Sequence, residues 1–164
     1  MPIEINGIAP LLQVFHMPTS LRFYRDTLGF TVTGHSEPMS GDPDDIGWCM
    51  MDLCGSCLML NTAYDPEETP AAPDPARWSG HQDTGLFIGA PDVDAVYRYL
   101  LEKGLALDPP KVAWYGMKQL CLKDPDGFGI CFQWQATEEE TAAARQNHVP
   151  FHRSNSPSED SPTR

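Results

Sequence analysis

Five cysteines are the residues of this sequence most suited to metal or redox chemistry. They are Cys49, Cys54, Cys57, Cys121 and Cys131. Cys54 and Cys57 have the C-x-x-C spacing that zinc and redox sites use, but no second cysteine pair or histidine pair follows at zinc spacing. Because they lie between two apolar runs, we predict that Gly55 and Ser56 form a two-residue hairpin turn flanked by small apolar side chains. Zinc or redox use of the pair is the alternative.

The histidines and paired carboxylates form no recognisable catalytic set. His16 follows the first apolar run at the entrance of a predicted helix, and the other four histidines fall in polar loops or in the C-terminal segment. The acid pairs Asp44-Asp45 and Glu67-Glu68 fall in loops, where carboxylates are solvated. A glycine-rich phosphate loop and a Gly-x-Ser-x-Gly motif are both missing from the sequence. We therefore predict no catalytic residues, and name His81 only as a candidate for ligand contact.

The charge and hydropathy of the chain restrict its partners. Its 164 residues include 23 acids against 11 Lys and Arg, a formal net charge of −12. This surplus argues against nucleic acid, whose phosphates need cationic neutralisation, and is compatible with a cationic small molecule. No apolar run approaches the roughly 18 residues of a membrane span, and the N-terminus has no basic region followed by an apolar one. We expect a cytoplasmic protein that binds neither nucleic acid nor membrane.

Two segments of the chain repeat one pattern of elements. In each, an apolar run typical of a strand leads into a helix whose apolar residues recur at helical spacing, and the helix ends at a glycine, Gly29 or Gly104. The spacing of these glycines, 75 residues, indicates a duplicated βαβββ module. The strands after each helix are predicted at 30–35, 47–53 and 57–62, and at 105–108, 117–123 and 128–134.

The domain organisation follows from these elements and from shifts in composition. We predict one domain over residues 1–135, with modules at about 7–62 and 84–135. Residues 63–83, rich in proline and acids, would form an exposed linker. Residues 136–164 are predicted to form one short helix over 138–146, capped by Thr137, followed by a polar disordered tail.

Three motifs then carry a family resemblance. They are the helix sequence Leu21-Arg22-Phe23-Tyr24-Arg25-Asp26-Thr27-Leu28-Gly29-Phe30, the opening Asp92-Val93-Asp94-Ala95 of the second helix, and the hairpin of residues 114–134 with its turn Asp124-Pro125-Asp126-Gly127. In this order they resemble the vicinal oxygen chelate superfamily of glyoxalases, extradiol dioxygenases and bleomycin-resistance proteins. The resemblance implies an α+β fold in which two βαβββ modules form a curled, cavity-enclosing mixed β-sheet with helices outside.

The stretch before the closing turn is similar to bleomycin-resistance-type members, with Lys118 standing where those members commonly have arginine. Such members are dimers that trap a cationic antibiotic without turning it over. The resemblance therefore implies a homodimer that binds a small molecule.

The metal-binding members of the superfamily imply four ligand positions, and these fall near Ala9, Met59, Gly85 and Cys131. Only Cys131 could bind a divalent metal, whereas zinc needs three or four N, S or O ligands. A register slip would offer Gln13, Asn61 or Gln133, still without a set of histidine and glutamate. We therefore predict no metal site and no cofactor.

Strand alternation, placed on this fold, predicts the wall of the cavity. Ile130, Phe132 and Trp134 should pack on the helices, and the alternate residues of the same strand should face the cavity. The predicted ligand-binding residues are Leu11, Gln13, Trp48, Met50, Met59, Phe87, Trp114, Tyr115, Gln119, Cys121, Cys131 and Gln133. Such a wall, apolar and aromatic with a few neutral amides, is typical of small-molecule sites.

The leading hypothesis is therefore a metal-independent small-molecule-binding protein of the glyoxalase/bleomycin-resistance type, which sequesters an aromatic or cationic compound. The alternative is a metal-dependent lyase, isomerase or dioxygenase of the same superfamily with non-standard ligands. A third reading is a regulatory or structural subunit whose tail docks a partner.

Overall fold

Each half of the chain folds into a four-stranded mixed sheet that carries one principal helix. The structure is a computed structural model and describes residues 7–147. The strands are β1 (Leu11–Val14), β2 (Thr31–His35), β3 (Trp48–Leu53), β4 (Ser56–Thr62), β5 (Gly85–Gly89), β6 (Lys111–Val112), β7 (Met117–Lys123) and β8 (Gly129–Gln135). The α-helices are α1 (Met17–Leu21), α2 (Pro75–Gly80), α3 (Val93–Glu102) and α4 (Glu138–Gln146). A π-helical segment, Arg22–Thr27, continues α1, and two 3-10 turns cover Pro66–Glu68 and His81–Asp83.

The two sheets have the same topology, which confirms the predicted duplication. The first sheet has the order β1-β4-β3-β2 and the second the order β5-β8-β7-β6. In each, the first strand of the module pairs parallel to the last, and the other neighbours are antiparallel. The predicted fold class, α+β with two βαβββ modules, is therefore confirmed; the two sheets stay separate and do not close into a barrel.

Two local predictions are wrong by a few residues. The short strand expected at 105–108 lies instead at Lys111–Val112, just past Pro109-Pro110, because proline lacks the N–H that a ladder needs. The hairpin turn uses Cys54 and Gly55 rather than Gly55 and Ser56: both have positive φ, 52° and 83°, and Leu53 pairs directly with Ser56. Positive φ at both central residues is the requirement of a type I′ hairpin turn.

The closing turn Asp124-Pro125-Asp126-Gly127 joins the two modules. Asp126 Oδ1 accepts a hydrogen bond from the Phe15 backbone N at 2.7 Å, and Asp124 Oδ2 accepts one from the Tyr24 hydroxyl at 2.9 Å. Asp124 Oδ1 also accepts from two backbone N–H groups of its own turn, those of Asp126 and Phe128. Both carboxylates and Tyr24 are buried. We call this set of contacts the clasp.

The linker packs on the clasp and closes it from outside. The backbone oxygen of Trp78 would lie only 2.6 Å from a Cβ placed on Gly127, whose φ is +89°, so only glycine fits there. His81 stacks on Phe128 with ring centroids 3.9 Å apart, and its Nδ1 lies 2.7 Å from the Asp126 carbonyl oxygen. Trp78 and His81 of the linker therefore both pack against the closing turn and Phe128. His81, named as a candidate for ligand contact, is hydrogen-bonded to the clasp residue Asp126.

One apolar core includes residues of both modules. Its fully buried side chains include Tyr24, Met51 and Leu60 of the first module and Leu100, Leu120 and Ile130 of the second. Lys118 lies between the two later helices and pairs with Asp94 near the start of α3 and with Glu140 of α4. These ion pairs, the hydrogen bond to Asp94 above all, raise the pKa of Lys118. Lys118 therefore ties β7 to its helices.

Helix α4 forms where the sequence predicts it. Thr137 accepts from the Glu140 backbone N, and the Glu140 side chain accepts from the Thr137 backbone N, which makes a capping box. The predicted tail, including His148 and His152, lies outside the described residues and stays a prediction. Within residues 7–147, no helix has the length and apolarity required to cross a bilayer.

Candidate functional site

The first sheet buries one face and leaves the other open. Leu12, Val14, Cys49, Met51, Leu58 and Leu60 form the buried face. Two cross-strand rows make up the opposite face: Leu11 opposite Met59 opposite Met50, and Gln13 opposite Asn61 opposite Trp48. All five predicted ligand-binding residues of the first module therefore share one face, as alternation requires. We call it the first open face.

The second sheet repeats this arrangement. Leu120, Leu122, Ile130 and Phe132 are buried on the side of the core. The alternate rows place Phe87 opposite Cys131 opposite Cys121, and Gln133 opposite Gln119. We call this the second open face; its side chains are uneven in exposure, since Phe87 is 65% exposed and Cys131 only 5%.

One strand residue does not follow the predicted packing. Trp134 was expected to join Ile130 and Phe132 against the helices, but its side chain is half exposed. Its ring instead lies against Gly89 at the edge strand β5, 3.4 Å from where a Cβ on that glycine would stand. The alternation fails here because the last residues of β8 extend beyond the core and are exposed.

The polar groups of the open faces are neutral and hydrogen-bonded in short chains. On the second open face, the Tyr115 hydroxyl donates to Gln119 Oε1, and Gln119 Nε2 donates to Gln133 Oε1, both at 2.9 Å. Trp114 packs edge-to-face on Tyr115 with centroids 5.6 Å apart, and both rings are half exposed. These bonds place Tyr115, from the loop before β7, over the same face as the two glutamines.

The first open face has a smaller polar set. Asn61 Nδ2 donates to Gln13 Oε1 at 3.3 Å, and Arg77 of α2 donates to the Gln13 backbone oxygen at 2.7 Å. The linker therefore reaches the end of this face through Arg77. Asn61 lies in the middle of this polar row, on the side that strand alternation assigns to the cavity.

Two hollows adjoin these faces and meet at Phe87. The larger, about 720 Å³, lies between the modules and is lined by Ile8, Pro10, Met50, Cys57, Phe87 and Ile88, among others. The smaller, about 300 Å³, lies over the second sheet and includes Phe87, Cys121 and Cys131. Sequence reasoning missed Ile8, Pro10, Cys57 and Ile88. Ile8 is 90% exposed, and only its apolar type beside the first strand could have indicated a role.

A single chain does not bring all twelve predicted residues around one cavity. Met50 and Phe87 line the larger hollow, and Phe87, Cys121 and Cys131 the smaller. Gln13, Trp48 and Met59 lie on the first open face, and Trp114, Tyr115, Gln119 and Gln133 on or beside the second, outside both hollows. Leu11 lies at the start of the first open face, 45% exposed.

The donor chemistry of the four implied ligand positions does not fit a divalent metal. Ala9 and Gly85 have no donor side chain, and Met59 offers a thioether. Burial, together with the Cys121 thiol, raises the pKa of Cys131 to about 12, whereas a metal binds the thiolate. Across the described part of the chain, no three His, Cys, Asp or Glu side chains come together as a set that could hold a metal ion.

Comparison with solved structures finds the same fold in other proteins. A glyoxalase/bleomycin resistance protein/dioxygenase from Nocardioides superposes with a TM-score of 0.61 at 16% identity, over 84% of this chain and 88% of that one. TnmS3, an antibiotic-binding protein from Streptomyces sp. CB03234, gives 0.57 at 23% identity, over 82% and 100%. TioX from Micromonospora sp. ML1 gives 0.57 at 17%, over 79% and 99%. At these identities the likeness is one of fold.

Sequence comparison gives the family. No curated protein matches the chain. The profile of the Glyoxalase/Bleomycin resistance protein/Dioxygenase superfamily, however, matches residues 5–132. This span contains the first sheet, the clasp, the second sheet up to Phe132 of β8, and all the predicted ligand-binding residues except Gln133. Because this match covers most of the chain and the repeated module agrees with it, the protein belongs to the glyoxalase/bleomycin resistance protein/dioxygenase superfamily.

Proposed function

We propose that this protein binds a small aromatic organic molecule, without a metal, against the open faces of its two sheets. The observation that carries the proposal is the first open face, where Leu11, Met50, Met59 and Trp48 form adjoining rows that the core does not cover. Contiguous apolar surface of this kind marks binding sites in proteins. An aromatic ligand bound there would remove its own apolar surface and that of the face from water, which stabilises the complex.

The amides of both faces would orient the ligand. Tyr115 donates to Gln119 Oε1, and Gln119 Nε2 donates in turn to Gln133 Oε1. The Nε2 of Gln133 is therefore the last donor of this chain of hydrogen bonds and can point to a ligand. Gln13 occupies the equivalent end on the first face, because its Oε1 accepts from Asn61. The ligand best suited to these groups has hydrogen-bond acceptors, such as carbonyl oxygens, on a flat apolar body.

Metal independence rests on the donors present. A methionine thioether and a buried thiol with a raised pKa occupy the two positions where strands β4 and β8 would supply ligands. A binding site that needs no ion must hold its ligand by contact and hydrogen bonds, which is what apolar rows flanked by amides provide. The metal-dependent enzyme would require ligands from outside these positions.

A second copy of the chain would complete the site. The two open faces do not share one cavity within a chain, and Ile8 and Phe87 stand exposed where the modules meet. In a homodimer, the first open face of one protomer would lie across from the second open face of the other and enclose the ligand between apolar walls. The expected assembly therefore has two chains and two equivalent sites.

The antibiotic class is the most specific ligand proposal. TnmS3, whose fold this chain shares, is an antibiotic-binding protein, and the net charge of −12 would favour a cationic compound approaching the site. Part of the loop acidity is already neutralised, because Arg25 pairs with both Asp26 and Asp44 at 2.7 Å. The charge therefore supports capture of cations, and the apolar faces would decide affinity.

Titration against aromatic antibiotics tests the proposal. We expect calorimetric binding of at least one member of a panel of neutral and cationic aromatic antibiotics, including a bleomycin-type glycopeptide, at one molecule per chain. Chelator-treated protein should bind equally well, and elemental analysis of untreated protein should find no stoichiometric transition metal. Binding that appears only after a metal is added would overturn metal independence.

A matched pair of tryptophan variants locates the site. Trp114 and Trp134 are similarly exposed, 52% and 47%. Trp114 packs on Tyr115, which bonds to Gln119 of the second open face, whereas Trp134 lies against Gly89 at the edge strand β5. Trp114→Ala should weaken binding at least about tenfold, or ~1.4 kcal/mol, while Trp134→Ala should leave it within about twofold. Equal losses in both variants would place the ligand elsewhere.

A further inference from the structure

We propose that Cys121 and Cys131 form a modification site, in which exchange with a low-molecular-weight disulfide joins them in an intramolecular cross-strand disulfide. The two residues are direct partners in the β7–β8 ladder. Their sulfur atoms lie 3.2 Å apart, and both are free thiols in the structure. The site does not depend on the proposed ligand, since it needs only the two thiols and their strands.

The type of ladder pair favours bond formation. The backbone bonds Asp124 N to Phe128 O and Ala136 N to Gly116 O mark hydrogen-bonded pairs in this hairpin. Because hydrogen-bonded and non-hydrogen-bonded pairs alternate, Cys121 and Cys131 form a non-hydrogen-bonded pair, whose Cα atoms lie about 4.5 Å apart. That separation falls within the range of about 4.4–6.8 Å seen in disulfides. The thiols can therefore join without separation or shear of the strands.

The other cysteines do not share this arrangement. Cys49 is buried in the core, and burial raises its pKa. Cys54 lies in the hairpin turn, and Cys57 opposes Asp52 across the β3–β4 ladder. Neither is therefore the direct cross-strand partner of another cysteine, and together they provide exposed thiols for comparison.

Exposure sets the order of the two steps. Cys121 is exposed and Cys131 is 5% exposed, so the Cys121 thiolate attacks first. It forms a mixed disulfide and expels one small thiol. Cys131 then gives its proton to water, and its sulfur attacks that of Cys121 and expels the second small thiol. The protein loses two electrons and two protons, and the small disulfide is reduced to two thiols.

The second step should be the slower one. Burial is the main cause of the raised pKa of Cys131, and the neighbouring Cys121 thiol adds to it. Once Cys121 is held in a mixed disulfide, its own contribution is removed and only the burial remains. The hollow of about 300 Å³ beside Cys121 and Phe87 gives the small thiol a place to sit before it leaves.

Peptide mapping with oxidised glutathione tests the inference on the full-length protein. Trypsin cuts after Lys118, Lys123 and Arg145, so Cys121 and Cys131 lie in separate peptides, 119–123 and 124–145. The remaining cysteines share the peptide 26–77. After oxidation and alkylation of the free thiols, we expect the two peptides joined within one chain. In the Cys54→Ser/Cys57→Ser variant, which lacks the other exposed thiols, the intact mass before alkylation should be that of one chain less two hydrogens.

Variants separate the proposed route from its rivals. Cys131→Ser should accumulate one glutathionyl group on Cys121, Cys121→Ser should leave Cys131 unmodified, and the control Cys54→Ser/Cys57→Ser should still form the cross-link. Stable glutathionyl adducts in the wild type with no joined peptides would overturn the proposal, as would a cross-link between two chains. Because the wild-type map alone decides this, a variant that fails to fold does not protect the proposal.

Discussion

Replacement of Asp124 by asparagine should remove a pH dependence of stability that the clasp imposes. Asp124 is buried beneath the closing turn, and burial raises its pKa from 3.8 to about 6, even though Tyr24 and two backbone N–H groups donate to it. A raised pKa in the folded state means that folding favours the protonated carboxyl. The stability that Asp124 contributes is therefore present at acidic pH and is lost as the pH rises through about 6.

The magnitude follows from the shift. A rise of about two units corresponds to about 3 kcal/mol over the whole titration, at 1.36 kcal/mol per unit. Between pH 5 and pH 7.5, the linkage relation gives a loss of about 1 kcal/mol in the free energy of unfolding. Asparagine should fit the site, since its Oδ1 can accept from the backbone of Asp126 and Phe128 while its Nδ2 donates to the Tyr24 oxygen.

Urea unfolding of wild type and Asp124→Asn at several pH values between 5 and 7.5 is the assay. Groups whose pKa is shifted elsewhere contribute to both proteins, including Asp126, raised chiefly by burial, and Asp26 and Asp44, lowered by Arg25. The difference between the two proteins isolates Asp124. We expect the stability of wild type relative to the variant to fall by about 1 kcal/mol over this range. A difference that is constant or that grows with pH would show that the donated hydrogen bonds outweigh burial, and our account of the clasp would be wrong.

Three further predictions concern the same framework. Gly127→Ala should destabilise the fold by more than Gly55→Ala, as measured by urea unfolding. Both glycines have positive φ, which costs about 1–2 kcal/mol in either variant, but only at Gly127 does the added Cβ meet the Trp78 backbone. Equal losses would contradict the close approach. Thr137→Ala should cost about 1 kcal/mol by loss of the capping box, seen as reduced helical circular dichroism on heating. Lys118→Met should cost no more than about 1 kcal/mol, since its ion pairs are partly exposed, and the loss should shrink in high salt; a larger, salt-independent loss would point to packing.

Periodicity in the sequence predicted the sheets and the faces of their strands because both depend on local alternation. The five predicted ligand-binding residues of the first module lie on one face of the first sheet for that reason. Gln119 and Gln133 likewise share one face of the second sheet. The clasp could not be predicted in this way. The hydrogen bond from Phe15 to Asp126 joins residues 111 positions apart, and nothing local in either segment indicates the other.

The larger hollow was missed for a related reason. It lies where the start of the first module meets β5, so its shape depends on how the modules pack rather than on the pattern of either one. Ile8 lies before β1, where alternation does not apply. Cys57 lies in β4 and alternates on the same side as Met59, but the sequence argument assigned it to the flank of the hairpin turn. The turn itself was misplaced by one residue because Cys54 adopts a positive φ, which a sequence would assign first to glycine or asparagine.

In the β7–β8 hairpin, the turn that carries the family resemblance and the residues proposed to contact the ligand lie in different parts. Asp124 and Asp126 make the clasp contacts to the first module, and Gly127 lies against Trp78 of the linker. A change at these positions therefore alters how the two modules are joined. Cys131 and Gln133 alternate with the core residues of β8 and face the open side. A substitution at these two positions can change the chemistry of the site while the core-facing residues and the turn stay as they are. The family match therefore constrains the scaffold and leaves the ligand to be found by experiment on the open faces.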